Sequence, residues 1–390
     1  MLKSSYKPTG WHSANMKSYH KVSVILTVSA FLLLFLPVAT TAVAASAYSS
    51  PTGAVFTMTN SASGNHIIAY NRLSDGALVR SGSFATRGLG SGVNLGSQGS
   101  VILSQDGNWL FVVNAGSNTI SEFQVSLNPV KLTFVDKVSS WGIYPISLTM
   151  YKDWIYVVNA GNSTTAGNIA GFALSSTSKL VFIPGSVQSL SSSGSVGPAE
   201  ISFNTWGTQL VVTEKNTNLI DTYMVSGKGV ASGPTTNPSQ GTEPFGFAFD
   251  NSNGALVVSD AASGALTSYN TTSTGTLVLN NGPIVDGGIA PCWVAITGDG
   301  RFAYTANAHG NTISSFSVNA KGDLTLLQSV ATTTNLTPLD MALGGNSHFL
   351  YVVEPGSGDI QAFAIGSIGS LTWIQTAGGL TGTIEGMAAI

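Results

Sequence analysis

The sequence predicts an all-β fold: a seven-bladed β-propeller of four-stranded antiparallel blades, with the ring closed by the C-terminal strand in blade one. Three observations carry this. Residues 290–327, APCWVAITGDGRFAYTANAHGNTISSFSVNAKGDLTLL, contain four runs alternating apolar and polar residues: Trp293–Thr297, Phe302–Ala306, Thr312–Val318 and Leu324–Leu327. Alternation with period two marks half-buried strands, and the intervening Gly, Asn and Asp residues suit tight turns. The unit, with strands A to D, recurs seven times. Its strand B ends in a short polar residue at Asn60, Asn114, Asn159, Glu214, Asp260, Asn307 and Glu354, about 45 to 55 residues apart. A four-strand repeat of that period reads as propeller blades, because one such sheet must stack on neighbours to bury both faces. Finally, the chain ends in Glu385-Gly386-Met387-Ala388-Ala389-Ile390, which resembles other A strands, whereas the first repeat lacks one.

Taken in order, the chain opens with a targeting segment. Lys17, His20 and Lys21 precede an uncharged apolar run, Val22 to Leu36, then Pro37 and small residues at Ala42-Val43-Ala44 and Ala45-Ser46-Ala47. This is the pattern of a secretory signal with A-x-A cleavage sites, so residues 1–47 are expected to be a leader and the protein secreted or envelope-exposed. The competing reading is an uncleaved N-terminal anchor, since no charge lies between Lys21 and Arg72 and the apolar stretch approaches the roughly 20 residues a span needs. Membrane contact is expected only in that case.

The propeller, residues 48–390, follows. Blade one supplies strands B, C and D at Val55–Thr59, His66–Arg72 and Leu78–Phe84. Each later blade begins with strand A, usually at a proline: Pro145, Pro198, Pro244, Pro291 and Pro338. The Ser/Gly/Thr/Pro-rich stretches Ala85–Gly99, Gln188–Gly197 and Gly227–Thr242 read as inter-blade loops. The glycines Gly88, Gly90 and Gly92 lie in no βαβ unit, which argues against a phosphate loop and for a flexible connection.

Composition limits function. Charged residues make up 8% of the 390-residue chain, against roughly 25% in ordinary domains. Without residues 1–47, which hold four of the 15 basic and none of the 18 acidic residues, the net charge is −7. With no basic cluster, nucleic acid binding is not expected. The single cysteine, Cys292, can form no intrachain disulfide and reads as a small buried apolar group. No metal or cofactor motif, Ser-His-Asp grouping or G-x-S-x-G elbow occurs; no cofactor is expected. His66, His309 and His348 fall at a strand start or in turns. Only Arg72, Arg80, Arg87 and Arg301 remain to hold a phosphorylated substrate. The polar residues ending strand B read as turn caps, and Trp109, Trp154 and Trp206, near A–B turns, as blade-edge covers.

The repeat of strand B as YVVNA, a Gly/Asn turn, then T-I-S-x-F-x-V resembles the seven-bladed lactonase-type propellers, including 6-phosphogluconolactonase-like and YVTN-repeat proteins. In the lactonases one strand A begins G-P-R-H, with Arg and His facing the central channel. The matching stretch here is Gly197-Pro198-Ala199-Glu200, which lacks both. The resemblance implies that strand A is innermost. The residues two beyond each strand-A proline, with their equivalents, should then ring the channel mouth: Ser100, Ser147, Glu200, Gly246, Trp293, Asp340 and Gly386. Ser100, Ser147, Glu200, Trp293 and Asp340 are the candidate ligand-binding residues, and Glu200 and Asp340 also the candidates for acid/base catalysis. Three readings stand at this point: a polar ring that merely solvates a narrow channel, a binding module for a small neutral or cationic ligand or another extracellular macromolecule, and a lactone hydrolase.

Overall fold

The computed structural model describes residues 50–390; the leader or anchor expected over residues 1–47 lies outside them. Seven antiparallel sheets follow one another around a central axis, each with its strands in the spatial order A-B-C-D. Alternation along the strands produces this directly. In blade six, strand B (Phe302–Asn307) is buried at every position and strand D (Leu324–Thr333) is largely exposed, so burial falls from the axis outward. Successive A strands touch around the ring, and that of blade seven (Met341–Gly344) touches that of blade one (Glu385–Ala389).

Closure is as expected. Glu385–Ala389 pairs with Gly53–Met58, strand B of blade one, matching Ala389 to Val55 and Ala388 to Phe56. The Ile390 carbonyl accepts bonds from the Ala54 amide at 3.1 Å and the Arg72 Nε at 3.0 Å. A ring without this strand would leave the blade-one B strand, buried along its whole length, as an open edge.

A second device joins neighbouring blades. A buried tyrosine in strand B reaches the C–D turn of the next blade: Tyr156 to the Gly229 carbonyl at 2.7 Å, Tyr304 to Gly369 at 3.1 Å and Tyr351 to Gly76 at 3.0 Å. The last of these spans the closure seam. Each ring buries a large apolar area while its hydroxyl keeps a partner, as a buried tyrosine requires.

The structure corrects two readings of the sequence. Gly227–Thr242 is not only a loop: Ala231–Pro238 is the D strand of blade four, paired with Leu219–Val225. Its residues are mostly small and polar because this strand lies at the solvent edge, so little apolar signal is needed there. The polar residues ending strand B do more than cap their own turns. They lie buried and hold the inter-blade linkers: Asn159 Nδ2 donates to the Ser140 carbonyl at 3.0 Å, Glu214 accepts the Ser191 amide at 3.0 Å, and Glu354 accepts the Asn335 amide at 3.0 Å. A linker amide turned inward needs such a partner; Asn60 serves likewise, accepting the Ser91 amide at 2.8 Å, whereas Asn307 bonds only Thr312 and Ser314 of its own blade.

Candidate functional site

The linker between blades one and two, expected to be a flexible connection, instead crosses and seals the channel. Residues 95–99 bond to blade one and to blades three to seven. The Leu95 amide donates to Glu385 Oε1 at 3.0 Å, and Lys215 Nζ donates to the Gly96 carbonyl. Ser97 Oγ donates to the Ile146 carbonyl at 2.9 Å, while the Ser97 carbonyl accepts Trp293 Nε1 at 2.9 Å. The Gln98 amide group spans two blades: Nε2 donates to the Val294 carbonyl at 2.8 Å and the Phe247 carbonyl at 3.4 Å, and Oε1 accepts the Val294 amide at 2.9 Å. The Gly99 amide donates to Asp340 Oδ2 at 3.0 Å. Leu95, Ser97 and Gln98 are buried. Inner strands of a closed ring leave backbone groups facing the axis, and a polar peptide satisfies them better than an apolar one.

The plug explains the two glycines of the expected ring. A Cβ on Gly246 would lie 2.2 Å from Gln98 Oε1 and 2.5 Å from the Cys292 carbonyl oxygen. Gly386 has φ +69°, and a Cβ there would meet Ser100 Oγ at 2.4 Å. Neither position has room for a side chain.

The seven positions therefore do not form an equivalent set of channel-lining groups. Trp293 is buried against Phe245, ring centroids 5.0 Å apart, with its indole N–H committed to the plug. Ser147 Oγ accepts the Ile201 amide at 3.2 Å, and Ser100 is buried with no partner for its hydroxyl. None of these three lines the pocket on the axis. Glu200 and Asp340 do. Both line a pocket of about 390 Å³ that opens on the face bearing the A–B turns, with Gln98, Thr149, Met150 and Ser202 among its walls. The plug is its floor.

Both carboxyls are displaced toward the neutral form. Burial raises Asp340 to about 7, opposed by bonds from the Gly99 and Met341 amides. Burial also raises Glu200 well above the usual carboxylate range; the Phe247 amide, 2.6 Å from Oε2, opposes this and the Asp340 charge adds to it. Taking a carboxylate out of water disfavours its charge, and no cation among the described residues compensates on this side of the plug. Below about pH 7 the floor is thus a set of largely uncharged donors and acceptors, an amide and two carboxylic acids, and Asp340 gains charge as the pH passes 7.

On the other side of the plug the environment differs. Glu385 is raised to about 8 by burial, with the Asp340 charge adding and Lys215 opposing. Lys215 is lowered to about 8 by burial, with Cys292, Glu243 and Glu385 opposing. Burial pushes the Cys292 thiol up to about 12, so it stays protonated, in keeping with a small buried group. Sequence reasoning missed Gln98, whose backbone and side chain together bond to blades four, five and six. Its only signal was the length of the Ala85–Gly99 linker and the apolar Leu89, Val93 and Leu95 within it, of which only Leu95 is buried.

Fold and site together define a closed propeller, sealed on one side of the axis and open on the other as a polar funnel. The chain belongs to the family described as lactonase, 7-bladed beta-propeller, whose model matches residues 56–188, 163–294 and 282–381. Among solved structures it is similar to the periplasmic gluconolactonase of Pseudomonas aeruginosa, at 16% identity and TM-score 0.67, covering 87% of this chain and 99% of that one. It is equally similar to a candidate 6-phosphogluconolactonase from Bacteroides fragilis, at 17% identity and TM-score 0.67, covering 88% and 99%. A protein from Lactobacillus plantarum matches at 16% identity and TM-score 0.67, covering 87% and 99%. At these identities the likeness is one of fold. No curated protein matches the sequence.

Proposed function

We propose that this chain is an extracytoplasmic binding module that holds a small, neutral, polyhydroxylated ligand in its funnel. The observation that carries this is the floor itself: Gln98, Glu200 and Asp340 in one pocket, with both carboxyls displaced toward the neutral form. A protonated carboxyl donates and accepts, as an amide does, which suits hydroxyl groups. A cation would find little charge to pair with, and a phosphate would find no arginine. The position where the lactonases carry His is Glu200, and the Arg position is the buried Ala199, so the lactone-opening pair is absent. The N-terminal pattern supports export; N-terminal sequencing of exported protein should begin between about Ala45 and Tyr48, and an intact start in a membrane fraction would favour the anchor instead.

Glucono-1,5-lactone and its 6-phosphate, in a thermal-shift and ring-opening assay, separate this reading from its rival. The neutral lactone is expected to raise the melting temperature without accelerating ring opening above background, and the phosphate to bind at least tenfold more weakly. Because Glu200 is already neutral, Glu200→Gln should keep the binding and Glu200→Leu should lose it. Ring opening well above background, lost in Asp340→Asn, would establish a hydrolase. No thermal shift with this lactone or with any of a panel of neutral polyols would overturn the binding reading.

A further inference from the structure

The funnel does not end at the axis. A second pocket of about 460 Å³ shares Gln98, Thr149, Met150, Glu200 and Ser202 with the first and reaches Asn251. A third, of about 470 Å³, lies in the crevice between blades two and three, walled by Trp109, Leu174, Lys152 and Asp153. All three share Met150, and the third shares Gln105 and Lys152 with the second. Each falls within the range of roughly 300–1,000 Å³ typical of a ligand site. They therefore run as one track from the axis outward over the A–B turn face.

The lining states the chemistry. Trp109 is half-buried and offers an aromatic wall, whereas the Tyr151 ring carries the Lys152 ammonium 5.3 Å from its centroid. The side chains of Gln105 and Asn251 are exposed and, among the described residues, bond to no other protein group. Lys152 brings one positive charge to the crevice and Asp106 and Asp153 two negative ones, a balance that disfavours an anionic chain. Uncharged amides and hydroxyls beside an aromatic ring are what a sugar requires: hydroxyl edges take the hydrogen bonds while the C–H face packs on the ring. An anionic chain would want converging arginines, and a peptide strand would want an unpaired sheet edge; the track offers neither.

We infer that the ligand is a linear neutral oligosaccharide, with one unit in the funnel above Gln98 and further units running along the crevice to Trp109. This rests on the funnel being a binding site for polyhydroxylated ligands, and it adds length and direction. A one-unit ligand uses the floor alone, whereas a chain also gains the tryptophan wall and the amides along the way.

The test is isothermal titration of the mature chain with linear gluco-, manno- and N-acetylglucosamine oligosaccharides of one to six units. Affinity should rise at least tenfold from one unit to four in one series. Trp109→Ala should remove the gain while leaving one-unit binding within twofold. Gln105→Ala, at an exposed position that leaves the fold undisturbed, should reduce the gain several-fold and so guards against a general effect of the tryptophan change. Equal affinity at every length, a gain untouched by both substitutions, or no binding by any oligosaccharide would overturn the inference. If one-unit binding persists in those cases and is lost in Glu200→Leu, the funnel reading stands while the track fails; if one-unit binding is absent as well, both fail.

Discussion

Deleting Glu385–Ile390 should abolish the cooperative fold. These residues comprise the innermost strand of blade one, Glu385–Ala389, and the Ile390 that follows it; Met387 and Ala388 are buried. Their removal strips the partner from Gly53–Met58, a strand buried along its whole length. Two anchors go with it: the Glu385 carboxyl that holds the Leu95 amide at 3.0 Å, and the Ile390 carbonyl that holds Arg72. The cut therefore opens the ring and loosens the plug together. Each buried donor left without a partner costs about 1–3 kcal/mol, and the exposed apolar edge adds to this. The total is comparable with the whole stability of a domain, about 5–15 kcal/mol. Size-exclusion chromatography should show aggregate in place of monomer, and the thermal transition should vanish or shift down by well over 10 °C, at roughly 2–4 °C per kcal/mol. A monomeric truncation with an unchanged melting temperature would show that the seam does not hold the ring.

Stability is expected to fall as pH rises from about 4 to about 8, the reverse of ordinary acid denaturation. The cause is a set of buried carboxyls displaced upward by desolvation: Asp260 to about 6, Glu122 and Asp340 to about 7, and Glu354 and Glu385 to about 8. Glu200, Asp286 and Asp221 are raised also, the last by burial and then by the neighbouring Glu214. In the unfolded chain such groups ionise near 4. Between 4 and 8 the native state therefore holds more protons than the unfolded state, and stability falls with pH by the linkage relation. The contribution is fully present below about pH 4 and is lost as pH climbs through 6 to 8. Asp299, lowered to about 2 by its bonds to Thr297 and Arg301, and Asp106, lowered mainly by Ser104, act in the opposite sense. Both are well exposed, so water screens them and their effect is small. A shift of one unit at one group corresponds to about 1.4 kcal/mol; relaxation around buried charges leaves a net loss of a few kcal/mol. The melting temperature at pH 5 should then exceed that at pH 8 by on the order of 10 °C. A flat or rising profile would mean that these carboxyls are not neutral in the fold. The geometry agrees with their neutrality: among the described residues the only ion pair is Arg301 with Asp299, at the surface. Glu122, Glu354 and Glu385 each keep at least one buried carboxyl oxygen without a partner.

The sequence by itself determined the architecture. Blade number, strand order and the C-terminal closure all follow from a period-two pattern repeated seven times, because each strand's side-chain alternation is a local property that decides which face is buried. The two carboxyls that meet in the funnel were legible as well, since equivalent positions in equivalent blades face one axis. What only the tertiary structure decided was which of those positions stay open. Trp293, Ser147 and Ser100 occupy ring positions but are buried away from the pocket, two of them spent on bonds within the protein, because a linker with no strand pattern folds back across the axis. Its burial depends on backbone and side-chain partners from six blades, up to 290 residues distant in the chain. No local pattern in Ala85–Gly99 encodes such partners; they exist only once the ring has closed around the segment. The same holds for the upward displacement of the Glu200 and Asp340 carboxyls, which is set mainly by desolvation in the closed ring and not by any neighbour in sequence.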